Sequence, residues 1–298
     1  MHRTISIFAI AWIFACSSSS PSDTSDAGGD ASTNPTDASA SDSASSNDAS
    51  TSDAGSDASI VGARCTTPTW SGSDAFQSFS ATSGSHTPQA SRWGVYDNQW
   101  SCSGNSACLD ETVHVCNAGS WYVTSNLAAN NTAVLTYIST QVNFPQLALS
   151  TFTSITSTFS EVSPHDATSV SSTFGDYEAA YDVFFGPNND NEIMVWVDNN
   201  GQTPGGGWNA QKTGVVIGGT TFDVYFNGST TYWLAQKNFT SGTVDLLSIF
   251  QYTTGTLHNF DATKTTGALS QIQFGWELCS TNGVAETFYL DELTVDAN

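Results

Sequence analysis

Three acidic residues sit in strand-like runs at positions where they could do chemistry. In Asn191-Glu192-Ile193-Met194-Val195-Trp196-Val197, alternation puts Ile193, Val195 and Val197 on one face and Glu192, Met194 and Trp196 on the other. The β-branched face calls for a dry core. That leaves a carboxylate, a thioether and an indole in a row, an odd solvent face but a sensible floor for a sugar cleft, with the indole as a stacking platform. In Gln271 to Cys279, the residues Ile272, Phe274, Trp276 and Leu278 take the core face, and Gln271, Gln273, Gly275, Glu277 and Cys279 take the other. Gly275 would leave room there for a ligand. In Ala180 to Phe184, Asp182 points opposite to Tyr181 and Val183. Taken singly, each acid reads as a solvated strand carboxylate; together, flanked by Trp and Gln, they read as a site. Paired carboxylates are the machinery of glycoside hydrolysis, one as general acid and the other as nucleophile or base, with about 5–5.5 Å between them in the retaining version.

Such side chains need strands to hold them. Runs such as TAVLTYIST, EAAYDVFF, TTFDVYF, TTYWLAQKNF and ETFYLDELTV alternate with period two between Gly, Asn, Asp and Ser clusters, and no internal repeat is present. This predicts an all-β domain, a β-jelly-roll sandwich of two antiparallel sheets with a concave cleft. One short helix is expected within Val244 to Gln251. With 28 acidic against 6 basic side chains and a net charge of −22, the chain has no cationic footprint for nucleic acid. A polar, uncharged, aromatic-bearing surface suits neutral carbohydrate instead. His114, His165 and His258 lack metal-ligand spacing, so neither a metal nor any other cofactor is expected. Gly205-Gly206-Gly207 lacks the Lys-Ser/Thr of a phosphate loop and reads as a turn. Asp291 and Glu292 are adjacent, so they face opposite ways on a strand, with Glu292 solvated.

The two ends of the chain differ in kind. Residues 17–63 hold 16 Ser, 9 Ala and 8 Asp with no aromatic, Lys or Arg, too little apolar surface to offset ordering entropy, so they read as a disordered tether. Ahead of them, an apolar run from Ile5 to Ala15 is about half the roughly 20 residues of a membrane-spanning helix and fits a signal peptide. Ile13-Phe14-Ala15-Cys16 resembles a bacterial lipobox, which implies lipidation at Cys16; the alternative is an ordinary secretory signal. The expected organisation is a leader over 1–15, a tether over 16–63 and one folded domain over 64–298, held at the cell surface or otherwise secreted. Cys65, Cys102, Cys108 and Cys116 fall within one short stretch and read as two disulfides, for which spacing allows three pairings. Cys279 reads as a buried unpaired thiol. A monomer is expected.

The motifs EIMVWV and QFGWELCSTNG, about 80 positions apart, resemble the two active-site motifs of glycoside hydrolase family 12. DNQW at 97–100, VLTY at 134–137 and AYDVF at 180–184 are similar to further motifs of that family, in its order. The resemblance spans essentially all of 65–298 and implies an endo-acting β-1,4-glucanase with a jelly-roll fold and a β-glucan substrate. It assigns Glu192 as nucleophile, Glu277 as general acid/base and Asp182 as the carboxylate hydrogen-bonded to the nucleophile. It places Asn98 and Trp100 at a donor-side subsite, and Tyr137, Met194, Trp196, Pro204 and Asn227 along the cleft. Trp233 is a further aromatic, left open between cleft and core. The resemblance implies Cys65–Cys108 as the first disulfide, leaving Cys102–Cys116 as the second. Two departures stand out: Asp97 replaces an Asn, with altered polar contacts expected near Trp100, and the short stretch from Asp182 to Glu192 implies a more open cleft edge. Two other readings stay in play, a non-catalytic glucan-binding protein and a related hydrolase such as a xylanase.

Overall fold

The computed structural model describes residues 63–79, 92–165, 175–205, 207, 209–259 and 267–298. The leader, Cys16 and the tether up to residue 62 lie outside the described residues. Two sheets face one another, as the alternation predicted. The six-stranded sheet runs in the order β1 (Trp70–Gly72), β4 (Cys108–Asn117), β5 (Ser120–Leu127), β15 (Glu286–Ala297), β7 (Ile155–Val162) and β13 (Ser241–Asp245). The nine-stranded sheet runs β10 (Lys212–Ile217), β11 (Thr220–Asn227), β12 (Thr230–Ala235), β9 (Asn191–Asn200), β8 (Asp176–Phe185), β14 (Ala268–Ser280), β6 (Thr136–Ala148), β3 (Arg92–Asn98) and β2 (Phe76–Phe79). All pairings within these sheets are antiparallel except β9 with β12, which run parallel.

Strand phase fixes what is buried. The inner faces of β8, β9 and β14 contribute Tyr181, Val183, Ile193, Val195, Phe274 and Trp276 to one core. Trp276 meets Trp121 edge-on at 5.4 Å, and each indole N–H finds a hydroxyl, Ser163 at 3.1 Å and Thr140 at 2.7 Å. A buried indole with its polar edge satisfied is both a large apolar mass and a fixed orientation. Truncating Trp276 to alanine would cost about 3–5 kcal/mol and loosen the strand that carries Glu277 on its other face. Trp233 belongs to this core, its N–H donated to Thr253 at 3.0 Å. The expected helix is α1 (Leu246–Tyr252), capped by Asp245, whose carboxylate accepts from the Ser248 N–H at 3.0 Å. Leu246, Leu247, Ile249 and Phe250 are its buried side.

The disulfides correct the expected pairing: Cys65 bonds Cys116, and Cys102 bonds Cys108. Cys108 and Cys116 stand at opposite ends of β4, and eight strand steps span about 27 Å. A disulfide tolerates no more than about 7 Å between Cα atoms. Cys65 arrives beside Cys116 because Trp70 of β1 pairs with Val115, so it cannot also reach Cys108. Cys102 reaches Cys108 through a turn in which the Asn105 N–H bonds the Cys102 carbonyl at 2.9 Å. Cys279 is buried as expected, but it is not an unpaired thiol. It is disulfide-bonded.

Candidate active site

The outer face of the nine-stranded sheet, turned away from the core, collects the acids. On β8 that face carries Glu178, Ala180, Asp182 and Phe184. Glu178 stands opposite Glu277 of β14, Asp182 lies between Gln273 and Met194, and Phe184 stands opposite Glu192 of β9. Asp182 thus falls between the two glutamates along β8. Asp182 and Glu277 are buried, and Glu192 is half-buried. Glu192 Oε2 accepts a hydrogen bond from Thr230 Oγ1 at 2.9 Å. The resemblance implies Asp182 as its hydrogen-bond partner; here burial and the charges of Glu277 and Glu192 raise Asp182, whose Oδ1 is buried with no hydrogen-bond partner among the described residues.

Four carboxyl groups in one another's field, away from bulk water, cannot all be charged. Burial raises every one of them. The Glu192 carboxyl is pushed up to about 7 by burial and by the Glu277 charge, against the pull of the Thr230 hydroxyl. Glu277 is raised by burial and drawn back by a hydrogen bond from Glu178. Asp182 is held well above the carboxylate range by burial, then by the charges of Glu277 and Glu192. Glu178 is likewise held well above the carboxylate range, by burial and by Glu277 beside it. Groups spread in this way divide into proton holders and anions, as acid/base chemistry at one centre needs.

The expected cleft residues gather around these acids, with differences. Tyr137 of β6 stands opposite both Glu277 and Asn98, and its hydroxyl donates to the Ala180 carbonyl at 3.3 Å. Asn98 ends β3, and its carbonyl accepts from Thr136 at 3.1 Å. Trp100 is half-buried against Val134 and Cys279, leaving part of its ring open. Pro204 is buried, and the next residue, Gly205, lies against the Tyr232 hydroxyl and the Asn227 amide so closely that a Cβ would fall 2.3 Å from that oxygen. This brings the 204–205 loop to Asn227, which is exposed.

Met194 and Trp196 are covered rather than open. Trp196 is only 3 % exposed, with Tyr232 edge-on at 6.0 Å and Leu234 and Tyr225 in the same cluster. It is therefore no free stacking platform, although it contributes to a pocket of about 230 Å³ with Asn199, Asp223, Tyr225 and Asn238. Gly275 also differs from expectation. A Cβ there would come within 1.8 Å of the Ile138 carbonyl, so the missing side chain makes room for the β6 backbone rather than for a ligand.

Three features escaped sequence reasoning. Glu178 is the first. The second is a ladder of amides on β6 and β14, in which Gln271 donates to Gln141 and Asn143, Gln273 donates to Gln271, and Ser139 donates to Gln273 at 3.2 Å. Such a row of donors and acceptors suits sugar hydroxyls. The third explains Asp97. It turns inward, accepting from the Asp74 N–H at 3.0 Å and from Gln99, beside buried Glu111, whose carboxyl is held well up by burial and by the Asp97 charge. Glu111 in turn accepts from Ser125 and Thr136, each at 2.6 Å. The histidines have ordinary roles. His114 stacks on Tyr122, His165 is buried between Tyr177 and Asp198, and His258 is exposed in a left-handed turn. Asp291 is buried and pairs with Arg64 at 3.0 Å.

Comparison with known proteins bears on the fold and the family. A xyloglucanase domain of the type three effector NopAA from Sinorhizobium fredii, solved with cellobiose, superposes with a TM-score of 0.61 at 22% identity, covering 78% of this chain and 100% of that one. A family 12 xyloglucanase from Bacillus licheniformis gives 0.60 at 18% identity, over 77% of this chain and 99% of its own. Endoglucanase 3 from Trichoderma harzianum gives 0.58 at 22% identity, over 77% and 97%. At these identities the likeness speaks for the fold, a jelly roll. A search of the curated proteins finds no match. The family model described as Glycosyl hydrolase family 12 matches residues 86–298, which include every acid of the cluster. The chain belongs to glycosyl hydrolase family 12.

Proposed function

We propose that the chain is a retaining endo-hydrolase of β-1,4-glucans, with Glu192 as nucleophile and Glu277 as general acid/base. The observation that carries this reading is the placement of Glu192 and Glu277 on one sheet face, each within the other's field, with Asp182 between them. In the first step Glu192 attacks the anomeric carbon while the glycosidic C–O bond breaks, and the Glu277 proton passes to the departing oxygen. In the second, Glu277 takes a proton from water, the oxygen of that water attacks the same carbon, and Glu192 leaves. Asp182 supports the nucleophile from the next strand, holding its own proton because burial and the Glu277 and Glu192 charges raise it. Asn98, Trp100 and Tyr137 lie toward the β3 side of the acids and serve as the donor-side subsite, the open part of Trp100 stacking on a glucosyl ring. The amide ladder meets hydroxyls, and the Pro204–Asn227 rim closes the other side.

The test is reducing-end release from carboxymethyl cellulose, barley β-glucan, xyloglucan and xylan, by the wild type and by Glu192→Gln and Glu277→Gln. Cleavage of the first two substrates, lost in both folded variants, supports the assignment, and the xyloglucan rate sets the subtype. Full activity in either variant would sink it, as would cleavage of xylan alone. Export and attachment at the cell surface through Cys16 belong to the same proposal. Attachment requires the Cys16 sulfur to be a thioether, which peptide mass spectrometry detects; an unmodified Cys16 or its absence from the mature chain would instead support ordinary secretion.

A further inference from the structure

Glu178 lies directly opposite Glu277 across the β8–β14 ladder and is wholly buried. Among the described residues neither of its oxygens finds an ordinary side-chain donor. Its side-chain partner among the described residues is the Glu277 carboxyl across the ladder, with its own backbone N–H as the other polar neighbour, and two carboxyl groups can hydrogen-bond only when one carries a proton. The groups facing this pair from the surrounding strands are Tyr137 on β6, Asp182 on β8, Glu192 on β9 and Tyr232 on β12, none of them cationic. A buried anion with no cation beside it needs donors, and a carboxylic acid is a strong one.

We propose that Glu178 is a positioning residue of the hydrolysis, donating a hydrogen bond from its carboxylic acid to the Glu277 carboxylate and so readying that group to take a proton from water. This rests on the functional reading above. Glu277 must alternate between acid and base. Burial favours the acid, and the hydrogen bond from Glu178 stabilises the base form that the second half of the cycle needs. Of the two, Glu178 keeps the proton because it is the more enclosed, whereas Glu277 retains a small exposure, 7 %, toward the cleft.

The test uses the described domain with its flanking chain, labelled with ¹³C at glutamate carboxyls, in the wild type, Glu178→Gln and Glu178→Met. Glu277→Gln identifies the Glu277 signal by its disappearance. Glutamine keeps a donor, whereas methionine keeps the volume without one. The Glu277 titration midpoint should rise by about one pH unit in Glu178→Met, a tenfold gain in proton affinity, and by less in Glu178→Gln. The basic limb of the kcat/KM profile should move up in the same order with KM unchanged, which a merely structural role would not produce. An unmoved midpoint in both variants, or equal shifts in the two, overturns the inference. Because the titration needs no turnover, failure of the functional reading shows separately, as a folded wild type that cleaves no glucan.

Discussion

Replacing Thr230 by valine removes one hydroxyl from the cluster and little else, since the two side chains have nearly the same shape. That hydroxyl donates to Glu192 at 2.9 Å and holds the carboxyl down, against burial and the Glu277 charge. A hydrogen bond to a charged group is worth about 1.5–3 kcal/mol, so even its low end corresponds to about one pH unit. The sign follows directly. Losing a donor to the anion raises the Glu192 pKa from about 7 toward roughly 8, so the acid limb of kcat/KM moves to higher pH. At pH 6, the ionised fraction then falls from roughly 9% to roughly 1%, a loss of about ninefold, while at pH 9 this group no longer distinguishes the two enzymes. The assay is reducing-end release from soluble β-glucan at limiting substrate between pH 4 and 9, with Thr230→Ser as the variant that keeps the hydroxyl and the wild-type limb. A limb that stays in place or moves to lower pH in Thr230→Val would refute the assignment of that limb to Glu192. The limbs belong to the coupled cluster, so the comparison is between apparent values of matched variants.

Other expectations follow from the same structure. Asp97 and Glu111 are both raised by burial, so the folded chain holds a proton that the unfolded one releases. Their contribution is complete below the unfolded carboxylate pKa and is lost as pH rises through the folded values, by up to about 1.4 kcal/mol per pH unit per proton. Glu111→Gln should flatten the fall in Tm between pH 5 and 9, and a fall as steep as in the wild type would count against a raised Glu111 carboxyl. On the chain-entropy account, opening Cys65–Cys116, with its separation of 51, should cost about 4 kcal/mol. Opening Cys102–Cys108, separated by 6, should cost about 2 kcal/mol while raising KM through the Trp100 turn. Urea unfolding of the serine pairs measures both costs, and equal costs would defeat the loop argument. Gly275→Ala forces a Cβ onto the Ile138 carbonyl, an overpacking typically worth about 1–3 kcal/mol and here at or above that range. A variant as stable as the wild type would mean β6 and β14 can part without cost.

Much of this arrangement was legible in the sequence because strand alternation is a two-state code. Ile193, Val195 and Val197 declared one face of β9, and that alone assigned Glu192 to the other; the same reasoning placed Glu277 and Asp182. Glu178 was hidden because Glu178-Ala179-Ala180 carries no apolar alternation, and the register shifts between Ala179 and Ala180. Its spacing of four from Asp182, an even number on a strand, was the signal that could have found it. Trp196 was assigned its face correctly, but alternation says nothing of what lies above a strand, and Tyr232 comes from another element. The disulfides failed for a similar reason: the length of β4 decides which sulfurs meet, and the spacing of the four cysteines does not record it. Gly275 looked like space left for a ligand, whereas the close approach of β6 can be read only from the folded backbone.

The central claim is a covalent intermediate on Glu192. Incubation with an activated 2-deoxy-2-fluoro-β-cellooligosaccharide, which slows the second step more than the first, followed by proteolysis and mass spectrometry, tests it most directly. The account predicts a single sugar adduct on the peptide containing Glu192, formed as activity is lost and reversed as activity returns. An adduct on Glu277 or Asp182, or full turnover of glucan with α-configured product and no adduct, would contradict it.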